Sequence, residues 1–503
     1  MRGSRSSCRQ TRPGNWYGPS RPRWSAATSS TYAAELAAKG MGELIYRSAS
    51  SLARAIREKK ASSVEVVEAH LRRIEQVNPK LNAVVQLRAE EALAEARAAD
   101  KALSRGKLSG PLHGVPVTIK DAIETAGIIT TGGTKGMASH VPSKDATVVA
   151  RLKAAGAIVL GKTNVPEFSL VGESANLVYG RTNNPYDLSR TPGGSSGGEA
   201  AIIAAGGSPL GLGSDAGGSV RIPAHNCGIA GIYPTSGRVP MTGHWPRYDG
   251  AFTLPTQIGP MARHVEDLAL ALSIISGPDW RDAHVVPMPL GDYRSVKLRG
   301  LRVAYFTDNG LSTTRKDIAS AVESAAKALG GAGCKVEQTR RPQGFERAGE
   351  LWFGLLTLDG GAGLRQVLRE TGSGRPHPFT QMILNIQRAA KMSRAETGAL
   401  LVDIDRFRGA MLSYIEPYDA VVSPAHGVPA PLHNFTLKSD YTPAFAFAFN
   451  LAGWPSAVVR CGTSDEGLPI GVQVAAKPWR EDAALAAVAW VEKEFGGWVK
   501  PPL

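Results

Sequence analysis

Cysteine is scarce in this 503-residue chain. The four thiols, Cys8, Cys227, Cys334 and Cys461, are scattered, with no C-x-x-C pair and no histidine at ligand spacing. That excludes a disulfide framework and a zinc site, and reduced thiols point to a cytoplasmic protein. Long apolar runs are missing too. The longest stretch free of charged side chains, Tyr441–Val459, contains Pro443, Asn450, Gly453 and Pro455, which spoil a membrane span. No G-x-x-x-x-G-K-[ST] occurs, so a P-loop is excluded. Acids are absent from residues 1–30, which hold six arginines and therefore a large part of the net charge of +14. What remains is modest and forms no basic stripe, so nucleic acid is not an expected partner.

That acid-free tail has the Arg/Ser-rich composition of a transit peptide but no apolar core of signal-peptide length. The plainer reading takes residues 1–40 as a disordered or artefactual extension and residues 41–503 as the functional domain. With 43% hydrophobic residues the chain can bury a sizeable core, and its 56 glycines and 33 prolines promise many loops.

Elements alternate along the chain. Val64, Val67, Leu71 and Ile74 repeat at helical spacing behind a Ser62/Glu65 capping box, with Pro79 marking the end. Helices are predicted at 89–104, 145–155 (Asp145 as N-cap), 316–329, 393–415 and 482–494. Strands are predicted at 116–119, 157–160, 301–306, 335–339, 420–423, 456–461 and 470–475. Such alternation, without repeats or an obvious linker, predicts one large α/β domain with a parallel or mixed sheet.

Three segments stand out: Pro116–Asp121 (PVTIKD), Gly193–Gly198 (GGSSGG) and Gly211–Pro223 (GLGSDAGGSVRIP). The second matches the G-x-S-x-G nucleophile elbow, but residues 183–192 carry two prolines and cannot supply the strand an elbow needs. The third matches G-x-G-x-x-A, yet Pro223 interrupts the helix and no acid follows at ribose-binding distance. Both readings are rejected. Paired glycines instead let backbone N–H groups converge on one point, as an oxyanion hole requires, and a serine ending such a run sits beside those donors.

A serine nucleophile needs a base. His225, in Pro-Ala-His-Asn, reads as a packing or capping residue. Lys120 can serve if neutral. At an ordinary pKa near 10.4 roughly 1 lysine in 2,500 is neutral at pH 7, whereas burial that lowers it to about 8 makes that roughly 10%. Asp121 points to the opposite strand face and need not cancel the shift. Asp215 and Arg221 read as loop braces and Ser196 as a helix-start cap.

Together GVPVTIKD (114–121), GKTNVPEFSL (161–170), TPGGSSGGEAA (191–201) and GLGSDAGGSVRIPAHNCGIAGIYPTSGRVP (211–240) resemble the amidase signature family over about residues 43–494. YDAVVSPA (418–425) and GLPIGVQVAA (467–476) fit the same pattern. The resemblance implies a single α/β domain with a twisted mixed sheet between helical layers. It also implies a Ser–cis-Ser–Lys set: Ser219 as nucleophile, Ser195 as bridging serine after a cis peptide bond, Lys120 as base. The N–H groups of Ala216, Gly217, Gly218 and Ser219 would form the oxyanion hole. No metal or organic cofactor is implied.

Two departures bear on subfamily: Tyr233 stands where many relatives carry Lys, and Glu199 where many carry a small residue. Glu199 and Pro223-Ala-His225 resemble the fatty-acid-amide-hydrolase-like and bacterial amidase branch. The expected activity is hydrolysis of apolar aryl or alkyl amides, extending to esters and carbamates, by a monomer or homodimer. The alternatives are a glutamine-hydrolysing component of a tRNA-dependent amidotransferase and a non-catalytic scaffold, which an intact Lys120/Ser195/Ser219 set disfavours. The aromatic-rich stretches 241–252 and 444–454 are either pocket wall or core.

Overall fold

The computed structural model describes residues 41–247, 250–437 and 444–503, so the expectation for residues 1–40 lies outside the described residues. From Glu43 onward the chain forms one compact unit. Its frame is a mixed eleven-stranded sheet. The strands are β1 (Val84–Leu87), β2 (Pro116–Lys120), β3 (Ile158–Thr163), β4 (Leu210–Asp215), β5 (Ala230–Tyr233), β6 (Gln257–Ala262), β7 (Arg302–Tyr305), β8 (Lys335–Gln338), β9 (Ala420–Pro424), β10 (Ser456–Thr463) and β11 (Pro469–Ala476). Their spatial order is β1-β3-β2-β4-β6-β5-β10-β11-β9-β7-β8. β2 lies between β3 and β4, parallel to both, with Thr118 opposite Gly211 and Ile119 opposite Leu212.

Among the helices are α1 (Ser63–Leu81), α2 (Ala89–Ser104), α3 (Thr147–Ala154), α4 (Gly197–Ala204), α5 (Arg221–Cys227), α6 (Val265–Ile275), α7 (Lys316–Gly331), α8 (Ala348–Thr357), α9 (Arg394–Ile415), α10 (Ala444–Ala452) and α11 (Glu481–Phe495). Central strands buried on both faces demand cover on both sides. One face packs Val117, Ile119 and Val159 against α3, α6, α7 and α11. On the other, Ile158 and Leu160 meet α1 and α2, while Ala304, Val421 and Ala475 meet α8, α9 and α10. The α/β architecture with a mixed sheet between helical layers is therefore as expected.

Local signals set several boundaries. Ser62 accepts from Glu65 N (3.1 Å) while Glu65 accepts from Ser62 N (2.8 Å), the reciprocal cap that starts α1. Pro79 does not end that helix: it sits inside the last turn, and Asn82, left-handed at φ 51°, closes it. Asp145 does not cap α3 either. The N-cap is Ala146, and Asp145 instead accepts from Ala126 N (2.8 Å) and pairs with Lys153 (2.9 Å).

Candidate active site

The two helices that follow the Gly/Ser segments, α4 and α5, are buried along their whole length. Helices so enclosed lie inside the molecule, where neighbouring backbone approaches closely. Gly198 shows why: a Cβ there would stand 2.6 Å from Asn164 O. α4 starts directly after Ser195 and Ser196, and α5 directly after Ser219 and Val220. No strand feeds Gly193–Gly197, in keeping with rejection of the elbow reading.

Lys120 ends β2, and its side chain is fully buried. Its Nζ lies 2.6 Å from Ser195 Oγ, 2.9 Å from Ser214 Oγ and 3.2 Å from Ser214 O. Burial pulls the amine down to about 7, against the opposing pull of the Asp215 and Glu199 carboxylates. Asp121 is directed elsewhere, accepting from the backbone and hydroxyl of Thr131.

The peptide bond between Gly194 and Ser195 is cis. Ser196 N donates to Ser219 O (3.1 Å), which ties the two Gly/Ser segments together beside Lys120. The Ser196 hydroxyl makes no helix cap, contrary to expectation. It is placed against the neighbouring strand instead, donating to Ser214 O (3.2 Å) and accepting from Ser214 N (3.3 Å).

Asp215 and Arg221 brace the loop, as expected. Asp215 accepts from Gly218 N (2.7 Å), Val220 N (3.1 Å) and Arg221 Nε (3.0 Å). Burial would raise this carboxyl, but Arg221 and these hydrogen bonds hold it down at about 2. One consequence revises the expected oxyanion hole: Gly218 N–H is already directed at Asp215 Oδ1. The N–H groups of Ala216, Gly217 and Ser219 have no acceptor among the described residues. Gly218 itself requires glycine, with φ 104° and a Cβ position 2.7 Å from Ala446 Cβ.

Glu199 is buried between β2, β3 and β4. Thr118 Oγ1 donates to its Oε1 and Thr163 Oγ1 to its Oε2 (2.7 Å). A side chain on Gly211 would occupy the carboxyl's place. Burial pushes this acid up to about 7. His225 is fully engaged by backbone, with Nε2 3.1 Å from Val428 O and Gly471 N donating to Nδ1 (3.0 Å). It faces none of the candidate serines in these contacts.

Three neighbours were missed by sequence reasoning. Ser214 contacts Lys120 directly, and a serine ending the strand before the Gly-Gly-Ser run was the available signal. His244 reaches Ser214 from a loop read only for its aromatics. Trp352, on α8, donates its indole N–H to Ala216 O (2.5 Å) and has no local signal at all. Of the two readings of stretch 444–454, the structure supports core. Phe445, Phe447, Phe449 and Trp454 all belong to one buried core cluster, in which Phe447 stacks on Trp352 with ring centroids 4.5 Å apart. A Cβ on Gly217 would lie 2.5 Å from Phe447 and 3.2 Å from Trp352, so this pair abuts the Ala216–Ser219 loop. Phe252 meets Trp352 edge-on, and a cavity of about 420 Å³ lies among Gly250, Ala251, Thr253, Leu254, His284, Leu355, Leu401, Ile404 and Asp405.

Among the described residues no cluster of His, Cys, Asp or Glu could hold a metal ion, and no helix is long and apolar enough to cross a membrane.

Residues 65–485 match the family model described as Amidase. The chain is 33% identical over 489 residues to fatty-acid amide hydrolase 2 of Homo sapiens, covering 91% of each chain. It is 34% identical to a glutamyl-tRNA(Gln) amidotransferase subunit from Chloroflexus aggregans, covering 88% of this chain and 96% of that one. A solved structure of fatty acid amide hydrolase superposes with a TM-score of 0.85 at 28% identity, covering 94% of this chain and 88% of that chain.

Proposed function

The chain belongs to the amidase family, and we propose that it hydrolyses C–N acyl bonds through an acyl-enzyme on Ser219. The observation that carries this reading is the buried Lys120 amine 2.6 Å from Ser195 Oγ, with Ser195 and Ser219 on segments tied together at Ser196. A neutral Lys120 takes a proton from Ser195, which takes one from Ser219 as Ser219 Oγ attacks the carbonyl carbon. The N–H groups of Ala216, Gly217 and Ser219 stabilise the oxyanion. The C–N bond then breaks, and the proton passes back through Ser195 to the leaving amine. Water attacks the resulting ester, restoring Ser219 and releasing the acid.

The substrate class supported best is an apolar aryl or alkyl amide. Trp352, Phe447 and Phe252 form an aromatic wall against the loop that would hold the scissile carbonyl. Esters and carbamates present the same carbonyl to the same donors. The glutamine-hydrolysing reading draws on the 34% identity to the amidotransferase component, but an aromatic wall suits a polar, charged substrate poorly.

Fluorophosphonate labelling of the wild type, Ser219→Ala and Lys120→Ala tests the chemistry. Wild type should label on Ser219, with labelling lost in Ser219→Ala and strongly slowed in Lys120→Ala. Labelling that survives Ser219→Ala overturns the nucleophile assignment. An anilide, a long-chain alkyl amide and glutamine, assayed on the isolated chain, separate the substrate readings.

A further inference from the structure

We propose that His244 is a positioning residue that sets the proton arrangement around Lys120, leaving the lysine lone pair a single partner, Ser195. The inference rests on Lys120 acting as the base, as proposed above.

His244 lies in a segment strapped to the residues that follow Lys120. Trp245 N donates to Ala122 O (2.7 Å), Glu124 N to Gly243 O (2.9 Å), and His244 forms an antiparallel bridge with Ile123. The imidazole is buried, with Nδ1 3.0 Å from Pro246 O and Nε2 2.8 Å from Ser214 Oγ. A carbonyl oxygen can only accept, so Nδ1 carries a hydrogen. Burial, aided by charge repulsion from the Lys120 and Lys162 amines, keeps the imidazole neutral by pulling it down to about 3. Nε2 is therefore bare and accepts the Ser214 hydroxyl proton.

The consequence passes to the lysine. Ser214 Oγ has spent its one hydrogen on His244 and offers Lys120 Nζ only lone pairs, at 2.9 Å. Ser214 O, at 3.2 Å, is likewise only an acceptor. A neutral amine has two hydrogens and one lone pair. Both hydrogens are taken by Ser214, and the lone pair is left for the Ser195 hydroxyl at 2.6 Å. Without an acceptor at His244, the Ser214 hydroxyl can turn and donate to Lys120. Ser195 then loses its base, although every heavy atom stays in place.

A double-mutant cycle on an aryl amide tests this, using His244→Phe, Ser214→Ala and the pair, with thermal melts to confirm folding. His244→Phe should lower kcat by ~10–100-fold with KM little changed, the range of a misdirected general base. With Ser214→Ala already present, the same change should cost less than about twofold, because the competing hydroxyl is gone. His244→Gln, whose amide oxygen can accept from Ser214, should recover most of the loss. Equal losses in both backgrounds, or a Gln variant as poor as Phe, overturn the proposal. If the Phe variant does not fold, His244→Asn, too short to reach Ser214, takes its place in the cycle. Activity retained in Lys120→Ala would overturn the base assignment itself. An additive cycle with Lys120→Ala inactive overturns only the role of His244.

Discussion

Replacing Lys120 by Met should make the protein inactive but more stable, by an amount that depends on pH. Burial lowers the amine from 10.5 to about 7, which corresponds to about 5 kcal/mol of disfavoured charging. The sign follows from proton binding. Between pH 7 and 10.5 the unfolded chain holds a proton on this lysine that the folded chain does not, so wild-type stability rises with pH across that window. Below pH 7 both states carry the proton and the full penalty applies; above 10.5 neither does. Methionine carries no such penalty but loses the contacts to Ser195 Oγ, Ser214 Oγ and Ser214 O, about 1 kcal/mol each. The variant should therefore be about 2 kcal/mol more stable than wild type at pH 6. That advantage should shrink by about 1.4 kcal/mol per pH unit above 7 and reverse near pH ~8.5. Glu199, itself raised to about 7, loses a nearby cation in the variant, which steepens the same trend. Urea unfolding at pH 6, 7, 8 and 9 measures the difference directly. A difference constant to within about 0.5 kcal/mol over that range would refute the reasoning, because packing alone has no such pH dependence. The same ionisation should appear in wild-type kcat/KM, falling about tenfold per pH unit below 7 and levelling off above it.

Arg221→Met strands the buried Asp215 carboxylate and should cost about 3–5 kcal/mol. Arg221 and its hydrogen bonds hold Asp215 near 2, below its ordinary 3.8, so the wild type has this stability in full above 3.8 and loses it as pH falls toward 2. In the variant burial without the cation raises the carboxyl, so its deficit should be largest at pH 7 and smaller at pH 4, as urea unfolding at the two pH values reads. Trp352→Phe keeps the stack on Phe447 but removes the indole N–H from Ala216 O, which frees the Ala216–Gly217 peptide to rotate; kcat should fall about tenfold with stability changed by less than about 1 kcal/mol, and an unchanged kcat would count against the loop geometry. We propose residues 41–503 as the functional unit, so deleting residues 1–40 should leave kcat/KM within about twofold.

How far the sequence speaks depends on the distance over which each feature is determined. Ser62 and Glu65 satisfy each other three residues apart, so the start of α1 is legible. Pro79 misleads because a proline is tolerated where the helix-interior cost is outweighed by packing, and the end is decided by Asn82. Asp145 misleads because its carboxylate is claimed by Ala126 and Lys153 rather than by the helix it precedes. Ser195, Ser219 and the Ala216–Ser219 loop can be singled out from the sequence because glycine at paired positions constrains the backbone within a few residues. Lys120 can be singled out as a strand lysine, as can the equally buried Lys162 of β3, and its neutrality depends on burial that only the folded sheet supplies. Ser214, His244 and Trp352 enter through contacts made across the fold, and the engagement of Gly218 N–H by Asp215 depends on a turn that residue types alone do not specify.

The stacked pair Trp352–Phe447 touches the oxyanion loop but comes from a different part of the chain. Lys120, Ser195, Ser214 and Ser219 all lie within residues 116–221, on β2, β4 and the turns around α4 and α5. The wall facing them is drawn mainly from α8 and α10. Reactivity and steric fit are thus encoded in separate stretches of the gene. A mutational library confined to codons 345–358 and 444–454 can redraw this aromatic face without changing any residue proposed to move a proton. Recombination between related genes at a crossover near residue 300 would exchange the Trp352–Phe447 pair together while leaving Phe252 with the other parent. The cost to watch in such experiments is Gly217, whose close approach to both rings sets how large a replacement at Trp352 or Phe447 the loop will tolerate.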